Sequence, residues 1–180
     1  MLTKEQIKQY QEDGFVIPDF KMSESDLLEI EEKHNQLINK FPEYKNYCPA
    51  VLLKDESFLK YCLNDKISGF VEQLLGSKFA LWNSSFFAKP AHNGFETPWH
   101  QDGQYWPINP LATCTVWLAI DDATEENGCL RFIKGSHKDK KLKDHYRNNK
   151  ENLTLHQELN KNEYDISKSV NLLLKRGQIS

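Results

Sequence analysis

No run of apolar residues in this chain approaches the ~18 that a membrane-spanning helix needs, so a spanning protein is not expected. Cysteine is sparse. Cys48, Cys62, Cys114 and Cys129 are the whole supply, and none sits in a Cys-x-x-Cys pair, which excludes a zinc ribbon or a dithiol redox motif. Free thiols in a reducing cytoplasm are the expectation. Excess positive charge is also missing: 23 Lys and Arg against 26 Asp and Glu give a net charge of -3, so no global basic balance points to nucleic acid. The opening residues Met1 to Gln6 lack the apolar core of a secretion signal and read instead as the start of a soluble helix. What remains is a chain of 180 residues, 39% hydrophobic and 12% aromatic. That is enough to bury a core, and too apolar for disorder.

Residues 1–78 read as a mainly helical layer. Thr3-x-x-Gln6 is a capping box, Ile7 and Tyr10 mark an apolar face, and Gly14 can end the helix in the left-handed conformation. Phe15-Val16-Ile17 then reads as a short strand. A second helix begins near Ser23 or Ser25 and carries Leu27, Ile30, His34, Leu37, Ile38 and Phe41 at helical spacing. After Asn64-Asp65, the residues Ile67, Phe70, Val71, Leu74 and Leu75 make the clearest amphipathic stripe, closed by Gly76.

Residues 79–180 change to strand texture. Phe79 to Ala88, Trp99 to Asp102, Thr113 to Asp121 and Cys129 to Ile133 are strand candidates, with turns at Glu126-Asn127-Gly128 and Gly135-Ser136. Helices first and strands later is the α+β pattern, and short strands joined by turns suggest a sandwich or jelly roll. A polar segment over 138–168, rich in lysine, reads as a solvated insertion or lid. Its single aromatic among the densest cations, Tyr146, is too few for a nucleic-acid stacking surface. The whole chain reads as one domain.

The chemistry concentrates in Thr97-Pro98-Trp99-His100-Gln101-Asp102-Gly103-Gln104-Tyr105-Trp106. On an extended backbone residues i and i+2 share a face, so His100 and Asp102 can offer an imidazole and a carboxylate to one ion. Those are two members of the facial triad of non-haem Fe(II) oxygenases, which leaves positions open for a chelating co-substrate and O₂. His-x-Asp alone is a weak signal, and His137-Lys138-Asp139 repeats it. The first copy lies among aromatics that can exclude water; the second opens the lysine-rich stretch, where a metal would meet neighbouring cations. His100 and Asp102 are therefore the expected pair, and His137 is expected to close a turn.

Trp99-His100-Gln101-Asp102-Gly103, then Trp117 to Asp122, Glu126-Asn127-Gly128-Cys129-Leu130 and Gly135-Ser136-His137-Lys138 resemble, in order and spacing, the phytanoyl-CoA dioxygenase family. Asp13-Gly14-Phe15-Val16 and Lys89-Pro90 resemble it too. The resemblance implies N-terminal helices packed on a double-stranded β-helix (jelly-roll) core. It also implies Fe(II) and 2-oxoglutarate as cofactors, with O₂ as oxidant. By the same resemblance His100 and Asp102 are iron ligands and catalytic residues, and Trp117 and Ser85 border the co-substrate. Thr115, on the same strand face as Trp117, joins them. Gln104, Tyr105 and Trp106 follow the metal motif and would border substrate. The family's distal histidine falls roughly ten residues beyond the position of Gly177, with an arginine for the co-substrate carboxylate a little further on. The closing strands and the third ligand are therefore expected to be missing from residues 1–180, leaving this chain inactive as it stands. The implied reaction is hydroxylation of a small organic metabolite, coupled to decarboxylation of 2-oxoglutarate to succinate and CO₂. The presence of Asp102 favours hydroxylation over halogenation. Two other readings stay open: a non-catalytic jelly-roll binding module, and a metal-dependent hydrolase or cupin-like isomerase. The residues identify neither the substrate nor an oligomeric state.

Overall fold

The computed structural model describes residues 1–180. Four helices carry the first half: α1 (Lys4–Asp13), α2 (Glu24–Lys40), α3 (Leu59–Cys62) and α4 (Asp65–Leu75). Their ends are set locally. Thr3 Oγ1 accepts the Gln6 N–H at 3.2 Å while Gln6 Oε1 accepts the Thr3 N–H at 2.9 Å, a reciprocal capping box. Ser23 and Asn64 cap α2 and α4 by accepting N–H groups of the first turn. Gly14 ends α1 at φ 91°, in the left-handed region. A Cβ there would lie 2.7 Å from His137 Nδ1, so glycine is required on two counts. None of these helices is long and apolar enough to cross a membrane.

The helices bury one face each. Leu27, Ile30 and Leu37 of α2 join Ile67 and Phe70 of α4 in a cluster of 13 buried residues, with Ile7 and Tyr10 of α1 packed on its edge. Val116, Leu118 and Ile120 press on the same cluster from the second half. A smaller cluster holds Ala119, Ala123, Leu172 and Leu174, packed by Phe15, Ile17 and Trp117.

Strands are short and pair antiparallel. β1 (Tyr47–Cys48) pairs with β2 (Phe86–Phe87), and β3 (Leu130–Ile133) with β6 (Ser169–Leu172); β4 (His145–Arg147) pairs with β5 (Gln157–Leu159). In the register of the longest ladder Leu130 faces Leu172 and Ile133 faces Ser169. The chain that follows β6 then lies along 117–123, with antiparallel bridges Leu118–Ile179 and Ala123–Leu174. Trp117 and Ser180 exchange both backbone hydrogen bonds at 3.0 Å. Residues 169–180 therefore connect β3 to the 117–123 segment.

Several expected strands are shorter or absent. Only Phe86–Phe87 of the 79–88 stretch is paired, and Phe79, Leu81 and Trp82 are exposed. Phe15 to Ile17 is extended but unladdered; Val16 is buried and Phe15 stacks on Phe132 at 5.2 Å. The polar 138–168 segment is not solvated throughout. Leu153, Leu155 and Leu159 are buried, and its hairpin β4–β5 packs beside residues 96–105. The link runs through a parallel bridge Glu96–Leu153, the Leu159 N–H donating to Trp99 O at 2.7 Å, and Thr97 Oγ1 to Thr154 Oγ1 at 2.8 Å. All four cysteines are free thiols.

Candidate metal centre

His100 and Asp102 come together on one side of the backbone. The expected strand at Trp99 to Asp102 is instead an extended Gln101 (φ -109°, ψ 130°) leading into a single 3-10 turn, Asp102–Tyr105. His100 Nε2 lies 3.1 Å from Asp102 Oδ1. The other nitrogen, Nδ1, is 2.7 Å from Pro98 O. A carbonyl can only accept, so Nδ1 carries a proton and points it at Pro98. In the neutral ring Nε2 is then a lone pair facing a carboxylate oxygen. Two acceptors at that distance need a cation between them, either a proton or a metal. Two ligands each about 2.1 Å from one ion at right angles stand about 3.0 Å apart, close to the observed separation. The donor set therefore fits a hard or borderline divalent ion such as Fe(II).

The surroundings hold both groups. Thr115 Oγ1 donates to Asp102 Oδ2 at 3.1 Å, occupying the outer carboxylate oxygen and leaving Oδ1 to face His100 Nε2. Such an outer contact orients a ligand and tunes it. Tyr105 meets the His100 ring edge-on, with ring centres 5.9 Å apart, and its hydroxyl both donates to Gln157 O at 3.0 Å and accepts the Gln157 N–H at 2.9 Å. Trp99 lies between Tyr164, 5.5 Å away, and the Arg131 guanidinium, 5.3 Å from its ring centre. Burial alone would push the His100 imidazole down. The hydrogen bonds to Asp102 and Pro98 and the carboxylate's charge outweigh it and hold the imidazole above its ordinary value. Burial likewise pushes the Asp102 carboxyl up, and its contacts with His100 and Thr115 pull it below its ordinary value.

The remaining expected residues divide. Thr115 reaches the metal pair. Thr115 and Trp117 alternate with Val116, Leu118 and Ile120, which face the large core, so Trp117 shares the face of the segment that carries Thr115. Its side chain packs on the smaller cluster. Ser85 Oγ accepts from Asn83 Nδ2 at 3.4 Å. The Tyr47 hydroxyl is close enough to Ser85 and Asp102 to feel both, although burial is what chiefly raises its pKa. Gln104 has only its backbone engaged, donating to Gln101 O, and Trp106 is half-buried. His137 is far from this chemistry: its Nε2 bonds Gln11 O at 3.1 Å and its ring covers Gly14. Asp139 pairs with Lys143 at 3.0 Å. No third His, Cys, Asp or Glu joins His100 and Asp102 in a cluster. Tyr47, Gln101 and His145 are neighbours of the site that the motif reading missed. Of these only Gln101 carried a signal, its place between the two ligands.

A helical layer and short antiparallel ladders thus surround the His100–Asp102 pair and its outer contacts. The family model for phytanoyl-CoA dioxygenase (PhyH) matches residues 1–179, and the chain belongs to that family. Human "Phytanoyl-CoA dioxygenase, peroxisomal" is 26% identical over 166 residues, covering 77% of this chain and 48% of the relative. The "Phytanoyl-CoA dioxygenase domain-containing protein 1 homolog" of Caenorhabditis briggsae is 36% identical over 94 residues, covering 52% of this chain and 33% of the relative. The chain thus spans half or less of the length of these curated relatives. Among solved structures, EvdO2 from Micromonospora carbonacea var. aurantiaca complexed with 2-oxoglutarate superposes with a TM-score of 0.75 at 16% identity, covering 99% of this chain and 80% of that one. The non-heme alpha ketoglutarate dependent carbocyclase SnoK from nogalamycin biosynthesis gives 0.74 at 23% identity, covering 99% and 73%. At those identities the likeness establishes the fold.

Proposed function

We propose that this chain is the metal-binding part of an Fe(II)- and 2-oxoglutarate-dependent dioxygenase that hydroxylates a small organic metabolite. The observation that carries this reading is the 3.1 Å approach of His100 Nε2 to Asp102 Oδ1 with the outer atom of each group already tied. When bound, Fe(II) with 2-oxoglutarate and O₂ supplies the oxidising power, converting the co-substrate to succinate and CO₂ as a C–H bond is hydroxylated. The protein supplies orientation, at a site where the Asp102 side chain is still 46% exposed. His100 and Asp102 hold the ion, and Pro98 O and Thr115 fix their bearing. In this reading Trp117, Thr115 and Ser85 border the co-substrate, and Gln104, Tyr105 and Trp106 border the substrate. The ladders at β3–β6 and 117–123 with 174–180 belong to a jelly-roll core in a single oxygenase domain.

A free metabolite is preferred over an acyl-CoA because two of the cations beside the metal motif are already engaged. Lys143 pairs with Asp139, and Lys150 with Glu96 at 2.7 Å. Free thiols at all four cysteines suit a reducing compartment, and the cytoplasm remains our assignment, although the human relative is named as peroxisomal. Metal titration tests the centre: His100→Ala and Asp102→Ala should each abolish Fe(II) binding, and His137→Ala should leave it nearly unchanged. Loss of binding in the His137 variant alone would refute the assignment. Fe(II)-dependent succinate formation, measured on a longer chain that supplies a third imidazole, then separates an oxygenase from a binding module of the same fold.

A further inference from the structure

Gln101, between the two proposed ligands, is held at every polar atom, and mainly by the hairpin β4–β5 and the stretch of chain leading to it. Its backbone N–H donates to His145 Nε2 at 3.1 Å. Its side-chain Nε2 donates to Lys141 O at 3.0 Å, and its Oε1 accepts the Lys143 N–H at 2.7 Å. Its carbonyl accepts the Gln104 N–H at 3.0 Å, the bond that opens the turn carrying Asp102. His145 is itself oriented, with Nδ1 donating to Lys143 O at 2.8 Å. That bond leaves Nε2 as the acceptor that the Gln101 amide requires. An amide N–H at this point has no ladder partner of its own, so without His145 it would be left half-buried and unsatisfied.

We infer that His145 is a positioning residue for the metal centre, anchoring the peptide between His100 and Asp102 so that the two donors keep one bite. The inference rests on the reading of those two residues as metal ligands. Without the anchor the His100–Gln101 peptide can rotate, and a rotation there swings Nε2 and Oδ1 apart. Removing a hydrogen bond to a ligating side chain typically changes metal affinity by about ten- to a hundred-fold, and loss of the bond to the peptide between two ligands should fall at the low end of that range. The segment read from sequence as a solvated insertion is in this respect the mould of the metal loop.

The test uses the full 180-residue chain and Co(II) as probe, titrated by its visible absorption, with amide exchange of Gln101 followed in the metal-free protein. His145→Phe keeps the ring shape and removes the acceptor. His145→Gln places an oxygen near the position of Nε2. We expect the Phe variant to bind Co(II) about ten-fold more weakly or worse and to lose protection of the Gln101 amide. The Gln variant should recover most of both. Wild-type affinity in a folded His145→Phe, with binding abolished in His100→Ala, would overturn the positioning role and leave the metal assignment standing. Equal weakening in the Phe and Gln variants would reduce His145 to packing. Should the Phe variant not fold, an unprotected Gln101 amide in the wild type overturns the inference, and protection with near-native affinity in His145→Gln sustains it. Wild-type Co(II) binding in His100→Ala would remove the metal assignment itself, and with it this role.

Discussion

In the metal-free chain Pro98 O and Asp102 Oδ1 both accept, which favours a proton on each ring nitrogen of His100. Its pKa is raised above the ordinary 6.5, so its contribution to stability is full below 6.5 and is lost as pH rises through the folded value. Asp102 works from the other side. Its pKa is lowered from 3.8, so its contribution is full above 3.8 and is lost as pH falls through the folded value. Melting temperature against pH should therefore show a plateau between those limits, with an alkaline decline that His100→Asn removes. Metal and proton compete for the same gap, so Fe(II) affinity should rise with pH over that alkaline range. Thr115 offers a second probe. Thr115→Val keeps the shape and deletes the hydrogen bond to Asp102 Oδ2, which should weaken Co(II) binding by about ten-fold. Unchanged affinity would show that the carboxylate is held by something other than Thr115.

Elements whose causes are local were legible from the chain alone. Capping by Thr3, Ser23 and Asn64, the left-handed end at Gly14 and the stripe Ile67, Phe70, Leu74 all act within a few residues, and the helices stand where they indicate. Strands were less so, because a strand is made by its partner. Thr113 to Asp121 finds a partner near the far end of the chain, at 174–180. Phe15 to Ile17 finds none and buries Val16 without a ladder. The meeting of His100 and Asp102 was legible because i and i+2 fall together on an extended backbone. Beyond Pro98 and Thr115, the groups that hold the neighbouring Gln101 and Tyr105 come from about 40 or 50 residues away, His145 and Gln157 among them, and no spacing rule announces those. Tyr105→Phe tests the docking of the hairpin directly. It removes two hydrogen bonds to Gln157, a loss of about 1–2 kcal/mol that a urea melt should register together with faster exchange of the Gln157 amide. A melt unchanged from wild type would mean that the buried leucines alone seat the hairpin.

For the whole molecule the decisive quantity is turnover. On the proposed reading residues 1–180 supply two metal ligands, His100 and Asp102, with no third His, Cys, Asp or Glu beside them, where a facial triad has three. We expect this polypeptide to show little or no Fe(II)-dependent succinate formation, and a longer one that supplies a third imidazole to be active at equal concentration. Equal rates would place the third ligand within 1–180 and require a rearranged site. Stability, in contrast, should survive in the 180-residue chain. Arg176 ties the closing segment to α2 through Glu24 and Glu31 and also donates to Ile120 O, while Leu27 and Ile179 are almost wholly buried in one cluster. Leu27→Ala should cost about 2–5 kcal/mol, read as a lower urea midpoint.

Trp99 adjoins His100 in sequence and lies between the Arg131 guanidinium and the Tyr164 ring. An indole one residue from a paramagnetic ion is a lamp beside its own switch. Its emission should be quenched as Fe(II) or Co(II) binds, while Trp82, 58% exposed and on the 79–85 stretch, keeps emitting at the red wavelengths of a wetted ring. In the proposed site Trp106 and Trp117 stand with Trp99, so the ratio of this quenched emission to that of Trp82 would report occupancy of the centre in an unlabelled protein, without catalysis and before any substrate is known.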